Sequence, residues 1–566
     1  MHMTNSRQVE THTPEQPSKV AAETESFWDR YDLYVLAVIA MGVAWFRRYS
    51  IDDAYISYRY AQNLVDGHGL VFNIGEYVEG YTNFLWTLWI ALGIKVGLSA
   101  ELTAYLGSVP AIGFTVYATM RIGRLIGSIT VARIAGGLVA TNAAFLSFGS
   151  SGLETMFQTA LLTALLWIVL AHRDRDFRPG VVAGLSALAA LAFLTRMDSA
   201  VPVAVIALTW AWWRLRDGSP LPAVAARVAG IAAIPVAATI PWMLWRSNTY
   251  GSLVPNTLAA KESSTAYLMG AIFLAMFVVS YLWFGPLIAI AVTAKRWVRD
   301  RTSVMLFAIV ATWCLYVIYA GGDWMDWRFL VAVMPPMMLL AAKATVLIPR
   351  KNLAYAGVAL AMIGGVAHNW FYPPTANVDG LSTLRLLTDN APPNWITEGK
   401  ALGEYFPGGL ASDEQVTIAV VAAGAIPYFS GLPTIDMIGL TDAWIAHNAP
   451  EIDYESGIPK PGHVKMTTMD YLRERGVNLV IGLPVTVKPD ELLDEYALDD
   501  PIFHTLFHEA TFDYEELGPA PRFVTIPVDG ELMLTLLLEP SPLVDAYIED
   551  GTFTVVPIVP AGDADE

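Results

Sequence analysis

The chain has 566 residues, 54% of them hydrophobic and only 16% charged, with a mean hydropathy of +0.44. A soluble domain carries about 25% charged residues, so this composition excludes an ordinary soluble protein and predicts a polytopic α-helical membrane protein. The formal net charge is −18, and 32 of the 53 acids but only 8 of the 35 Lys and Arg lie beyond Phe371. That imbalance marks a separate acidic segment, and it argues against nucleic acid and anionic headgroups as that segment's partners.

Residues 1–30 form a polar tail with no short apolar core before a small-residue cleavage site, so the first apolar run is expected to remain as an uncleaved anchor. Runs able to cross about 30 Å of hydrocarbon follow near 31–47, 101–120, 131–149, 153–171, 180–196, 199–213, 222–245, 266–294, 302–320, 328–348 and 353–371. They predict about eleven transmembrane helices within a membrane region spanning 31–371, with an outer loop at 47–100. The shorter run 83–98 is assigned to a juxtamembrane helix, with Trp86 and Trp89 suited to the interfacial belt. The basic clusters Arg121/Arg124/Arg133, Arg173/Arg175/Arg178, Arg214/Arg216, Lys295/Arg296/Arg299/Arg301 and Arg350/Lys351 then all fall on the cytoplasmic side, with the N-terminus. Arg47 and Arg48 dissent, standing at the outer end of the first helix. The lone cysteine, Cys314, excludes an intramolecular disulfide and a cysteine metal cluster.

After 371 the pattern changes. "VTIAVV" (Val416 to Val421), "PTIDMIG" (Pro433 to Gly439) and "NLVIGLP" (Asn478 to Pro484) read as short buried strands, and "TTMDYLRER" (Thr467 to Arg475) as an amphipathic helix. Residues 372–566 are therefore expected to form a soluble, extracytoplasmic α/β domain.

The polar residues that the membrane region lacks elsewhere gather in the outer loops. Asp52, Asp53, Arg59, His68, Asn73, Glu76, Glu79, Glu154, Arg196, Asp198, Asn256, Lys261, Asp323, Asp326 and Arg328 all reach that boundary, where ionisable groups are costly and mark function by default. Transfer of a sugar from a lipid phosphate needs a carboxylate to take the acceptor's proton and cations to stabilise the departing phosphate. Asp52 or Asp53 can be that base, and Arg59, Arg196, Lys261 and Arg328 can neutralise phosphate. His68, Asn73, Glu79, Glu154, Asp198, Asn256, Asp323 and Asp326 are candidates for substrate contact, and the last two offer oxygens to a divalent cation; no other cofactor is indicated.

On a helix starting near Ile51, Asp52 and Asp53 cannot point the same way. One is expected to face the reaction and the other to cap the helix N-terminus, with Asp53 favoured over Asp52 as the cap or support. Blander roles compete: the glycines around His68 form a turn, Glu154 and Asp198 cap helices, and Asp326 with Arg328 makes a structural ion pair. A transporter or flippase of lipid-linked sugar is the alternative function, but it would place charge near mid-bilayer.

Three stretches together, "RRYSIDDAYISYRYAQNLVDGHGLVFNIGEYVEGYTN", "YGSLVPNTLAAK" and "GGDWMDWRFLVAVMPP", resemble the GT-C class of membrane glycosyltransferases, most closely the actinobacterial terminal arabinofuranosyltransferases. The matching positions are Asp52/Asp53, Arg59, Asn63/Leu64, Gly67/Gly69, Val71 to Glu79 and Gly321 to Met325. This resemblance implies a polyprenyl-phosphate sugar donor, arabinofuranose among the candidate sugars, and a cell-envelope glycan acceptor outside the membrane. It also implies a catalytic Asp in the first outer loop and a C-terminal domain that helps hold glycan. The stretch "EGYTN", Glu79 to Asn83, departs from the family pattern.

Overall fold

A computed structural model describes residues 27–262, 266–371, 379–408, 415–454 and 460–561. Most of the polar N-terminal tail, the "YPPT" stretch at the expected domain boundary and the last five residues lie outside them. Each of the eleven apolar runs, and the shorter twelfth at Phe84–Lys95, folds as a helix or a pair of helices. The run 131–149 is divided into Ile129–Ala140 and Ala143–Phe148 where the Asn142 side chain accepts from the Phe145 amide, restarting the helix. The run 266–294 is a bent pair, Ala266–Ser280 and Phe284–Val292, turned by 105°. In 328–348, Pro335 and Pro336 fall in the first turn of Met334–Leu347, separate from Arg328–Val331.

Among the described residues two helices, Leu221–Tyr250 and Arg301–Ala320, are long and apolar enough to cross a membrane, and the bent pair makes a third if it counts as one span. Leu221–Tyr250 buries only Val224, Ile231, Trp242 and Arg246. Leu221, Ile234, Val236, Ile240 and Leu244 are exposed, a surface that suits lipid and would be unfavourable in water. Inside the bundle, Thr115, Thr119, Thr159 and Thr163 each donate their hydroxyl to the carbonyl four residues back, which satisfies a polar atom that hydrocarbon could not.

Among the described residues the C-terminal region contains seven strands: β1 (Ile418–Val420), β2 (Thr434–Asp436), β3 (Leu479–Val487), β4 (Tyr496–Ala497), β5 (Arg522–Val528), β6 (Glu531–Leu537) and β7 (Thr554–Val559). They form one sheet in the order β2-β1-β3-β6-β5-β7-β4, parallel at β2/β1/β3 and at β7/β4, and antiparallel from β3 through β7. The first three strands and the helix Met469–Glu474, capped by Thr468, fall where the sequence pattern puts them. The sheet and the outer loop share a core. Ile56, Tyr60, Leu70, Phe72 and Tyr81 pack with Leu402, Ile418, Ile426, Leu479 and Val524, so the first outer loop is built onto the sheet.

Candidate active site

The helix Asp52–Val65 carries the two adjacent carboxylates into different surroundings. Asp52 is buried, and its carboxylate accepts from the amides of Ala425 (2.7 Å) and Gly424 (3.1 Å) at the start of the helix Ala425–Ser430. A Cβ on Gly424 would collide with the Asp52 backbone carbonyl, so this approach requires glycine. Burial pushes the Asp52 carboxyl up to about 7, with the neighbouring Asp53 charge adding to it and the two amides opposing. Asp52 thus ties the membrane region to the C-terminal region.

Asp53 faces the loops between the membrane helices. Burial raises its carboxyl, while the charges of Arg328 and then Lys261 draw it down and Asp323 pushes it up. No ion pair to Asp53 forms among the described residues. Lys261, just after the short helix Asn256–Ala260, is likewise without an ion pair or hydrogen-bonded acceptor among the described residues. Burial lowers the Lys261 ammonium, Asp323 and Asp53 support its charge, and Arg328 and Arg196 oppose it. A half-buried cation and carboxylate within electrostatic reach of one another, with no ion pair formed by either among the described residues, leave both available to a ligand. Neither carboxylate caps its own helix as expected: Asp52 serves another helix, Asp53 bonds its own amide, and the N-cap position is Ile51.

Arg328 is held by Asp323 through two hydrogen bonds, Nε to Oδ2 at 2.6 Å and Nη2 to Oδ1 at 3.1 Å. Their loop is made by Gly321 and Gly322, both at positive φ (83° and 79°), which side chains rarely adopt. Across the site Arg196 sits between Glu154 (2.8 Å) and Asp198 (2.7 Å), with Asn83 on Glu154 and Gln158 on Asp198. Thr155, Gln158, Arg196, Asp198, Arg328 and Phe329 line one crevice, where both guanidinium groups lie within 6 Å of the Phe329 ring.

Several sequence-based assignments change. Arg59, read as a phosphate ligand, gives four N–H bonds to the Phe72, Pro427 and Leu432 carbonyls and to Asn73 Oδ1, and lies 4.4 Å over the Phe72 ring. Burial lowers its guanidinium to about 9. Asn73 in turn bonds Glu76 and both backbone groups of Thr434, and Asn256 donates to the carbonyls of Gly439, Leu440 and Asp442. These three brace the outer loops against the C-terminal region, leaving little of their hydrogen-bonding capacity for substrate. Glu79 pairs with the fully buried Arg246, and His68 is exposed in its turn, away from the cluster. Asp326 bonds His368 Nε2 at 2.7 Å and the Leu381 amide at 3.2 Å, so Asp326 and Arg328 are not each other's partners. With Asp323 on Arg328 and Asp326 on His368, the pair does not make a cation cage, and no group of three or more His, Cys, Asp or Glu forms one among the described residues.

Arg246, Gln158, Asn83 and His368 belong to this network and were not singled out from sequence. Arg246 and His368 carried a signal, each being an ionisable residue near the end of a long apolar run. The C-terminal region adds Lys460, paired with Asp379 at 2.7 Å and lying 5.2 Å over the Trp324 ring, and His463, edge-on to the same ring. It also adds Gly462, whose Cα hydrogen points at the Lys261 side chain.

The chain is 29% identical over 355 residues to a terminal β-(1→2)-arabinofuranosyltransferase of Mycobacterium tuberculosis, covering 54% of each chain. It is 27% identical over 345 residues to the enzyme of that name from Corynebacterium glutamicum, covering 52% of this chain and 48% of the relative. The match therefore spans about half the length of these curated relatives. A solved structure of ArnT from Cupriavidus metallidurans bound to undecaprenyl phosphate superposes over 90% of this chain and 98% of its own, with a TM-score of 0.53 and 14% identity. The chain resembles the terminal arabinofuranosyltransferases and has a GT-C fold. Residues 374–520 match a family described as a domain of unknown function, DUF8728.

Proposed function

We propose that the protein is a multi-pass membrane glycosyltransferase that transfers a sugar from a polyprenyl phosphate to a cell-envelope glycan on the extracytoplasmic face. The observation that carries this reading is the unpaired Asp53 and Lys261 beside the Asp323–Arg328 pair. In the reaction the acceptor oxygen attacks the anomeric carbon while its proton passes to Asp53, whose raised affinity suits a base. The bond from that carbon to the phosphate oxygen breaks, and the polyprenyl phosphate leaves with its charge stabilised by Lys261 and Arg328. Glu154, Arg196 and Asp198 hold the opposite wall.

The arrangement in the membrane follows the same reading: eleven crossings with the N-terminus cytoplasmic, and residues 372–566 outside as the glycan-holding domain. The names of the relatives favour arabinofuranose as the sugar, and the lipid in the ArnT structure favours a polyprenyl phosphate carrier. Purified protein in liposomes, given polyprenyl-phosphate arabinofuranose and an arabinan acceptor, should form a glycosidic bond, and Asp53→Asn should not. Movement of labelled donor across the bilayer with no bond formed by the wild type would replace this reading with a transporter.

A further inference from the structure

The arginines at the outer end of the first helix remain without a role in transfer. Arg48 is accounted for locally, donating to the Trp45 carbonyl at 2.6 Å and lying 4.2 Å over the Trp45 ring. Arg47 is exposed, and its side chain has no hydrogen bond or ion pair among the described residues. It lines a cleft of about 230 Å³ between the helices Phe27–Phe46, Ala143–Phe148 and Leu381–Asp389.

The chemistry of this cleft is divided. Arg47, Arg385 and the exposed Ser382 give it polar lining, while Val43, Ala143 and Leu381 supply apolar wall. Arg385 is paired with Asp389 at 2.6 Å and donates to the Arg47 carbonyl at 3.4 Å, leaving Arg47 as the unopposed charge. The Thr388 hydroxyl bonds the Ser50 carbonyl at 2.6 Å and fixes the third wall beside the catalytic helix. The cleft is too small for a whole lipid, but it continues onto an exposed apolar strip of the first helix at Ile39, Val43 and Phe46, the last 85% exposed.

We infer that this cleft binds the phosphate head of an anionic lipid, with Arg47 and Arg385 on the phosphate and the chain lying along the first helix. Arginine suits a phosphate at a membrane interface because its planar fork donates two parallel bonds. An unpaired arginine on the outer side, against the orientation rule, has a reason there if a lipid anion neutralises it. The acidity of the C-terminal region does not oppose this, because the facing helix Leu381–Asp389 brings its own arginine to the rim. The site is separate from Lys261 and independent of the transfer reaction.

Native mass spectrometry of the full chain, titrated with phosphatidylglycerol, undecaprenyl phosphate or phosphatidylcholine, tests the inference. One copy of an anionic lipid should survive in Lys261→Ala and fall at least tenfold in occupancy in Arg47→Ala/Arg385→Ala. Ser382→Trp, which fills the exposed rim and leaves both arginines in place, should lose the same copy. Preference between the first two lipids names the source, a bulk phospholipid or a carrier lipid, and either supports the site. Equal binding of phosphatidylcholine, or occupancy unchanged in both cleft variants, overturns it.

Discussion

The helix Asp52–Val65 offers the same carboxylate twice, at successive positions, to two different regions. Towards the C-terminal sheet, Asp52, Arg59, Asn73 and Asn256 each hydrogen-bond to backbone groups. Towards the membrane loops, Asp53 and Lys261 are half-buried and make no ion pair among the described residues, beside arginines already held by acids. Satisfied polar groups hold a structure together, whereas buried charges left open cost stability and persist where a ligand completes them. Residue type does not separate the two regions; their hydrogen-bond partners do.

The largest test of that contrast is Asp53→Asn, expected to reduce transfer by about 10²–10⁴-fold with expression and melting temperature preserved. Activity within tenfold of wild type would erase the distinction between the two carboxylates. Lys261→Ala should lower kcat/KM for the lipid donor by about 10²–10³-fold, the range for loss of one stabilising donor at a developing negative charge, again without unfolding. On the bracing side, Arg59→Ala leaves buried carbonyls unpaired and should cost about 3 kcal/mol or more. It should appear as a lower melting temperature and easier proteolysis, with kcat and KM unchanged in the molecules that remain folded.

The smallest effect concerns Asp52. Its folded carboxyl holds a proton up to about pH 7, above the ordinary carboxylate range, so the folded state binds more protons than the unfolded state between the two values. Stability from this group is therefore greatest below the ordinary carboxylate range and declines as pH rises towards 7. Asp52→Asn, neutral throughout, should flatten that part of the melting-temperature profile. An unchanged slope would mean that Asp52 is not buried against Gly424 and Ala425 in solution.

Much of the fold was legible because its signals are local. Apolar runs became helices, three short buried segments became β1 to β3, and the helix predicted over Thr467 to Arg475 formed at Met469–Glu474 with Thr468 as its cap. The β5/β6 hairpin went unread although "VDGE" supplies an Asp-Gly turn between two apolar stretches. At the site, residue type and position did not reveal which charged groups are already engaged: Arg59 reads as a phosphate ligand by charge and position, while in the structure carbonyls about 370 residues away in the chain take up its donors.

The amino-acid sequence by itself determined that the chain is a membrane protein and where its helices and first strands lie. Those are consequences of burial and periodicity, which act residue by residue. Only the tertiary structure decided that Asp52 fastens the C-terminal region while Asp53 turns towards Lys261. A carboxylate's role depends on which donors reach it, and the Gly424 and Ala425 amides arrive from a part of the chain that no local pattern connects to it.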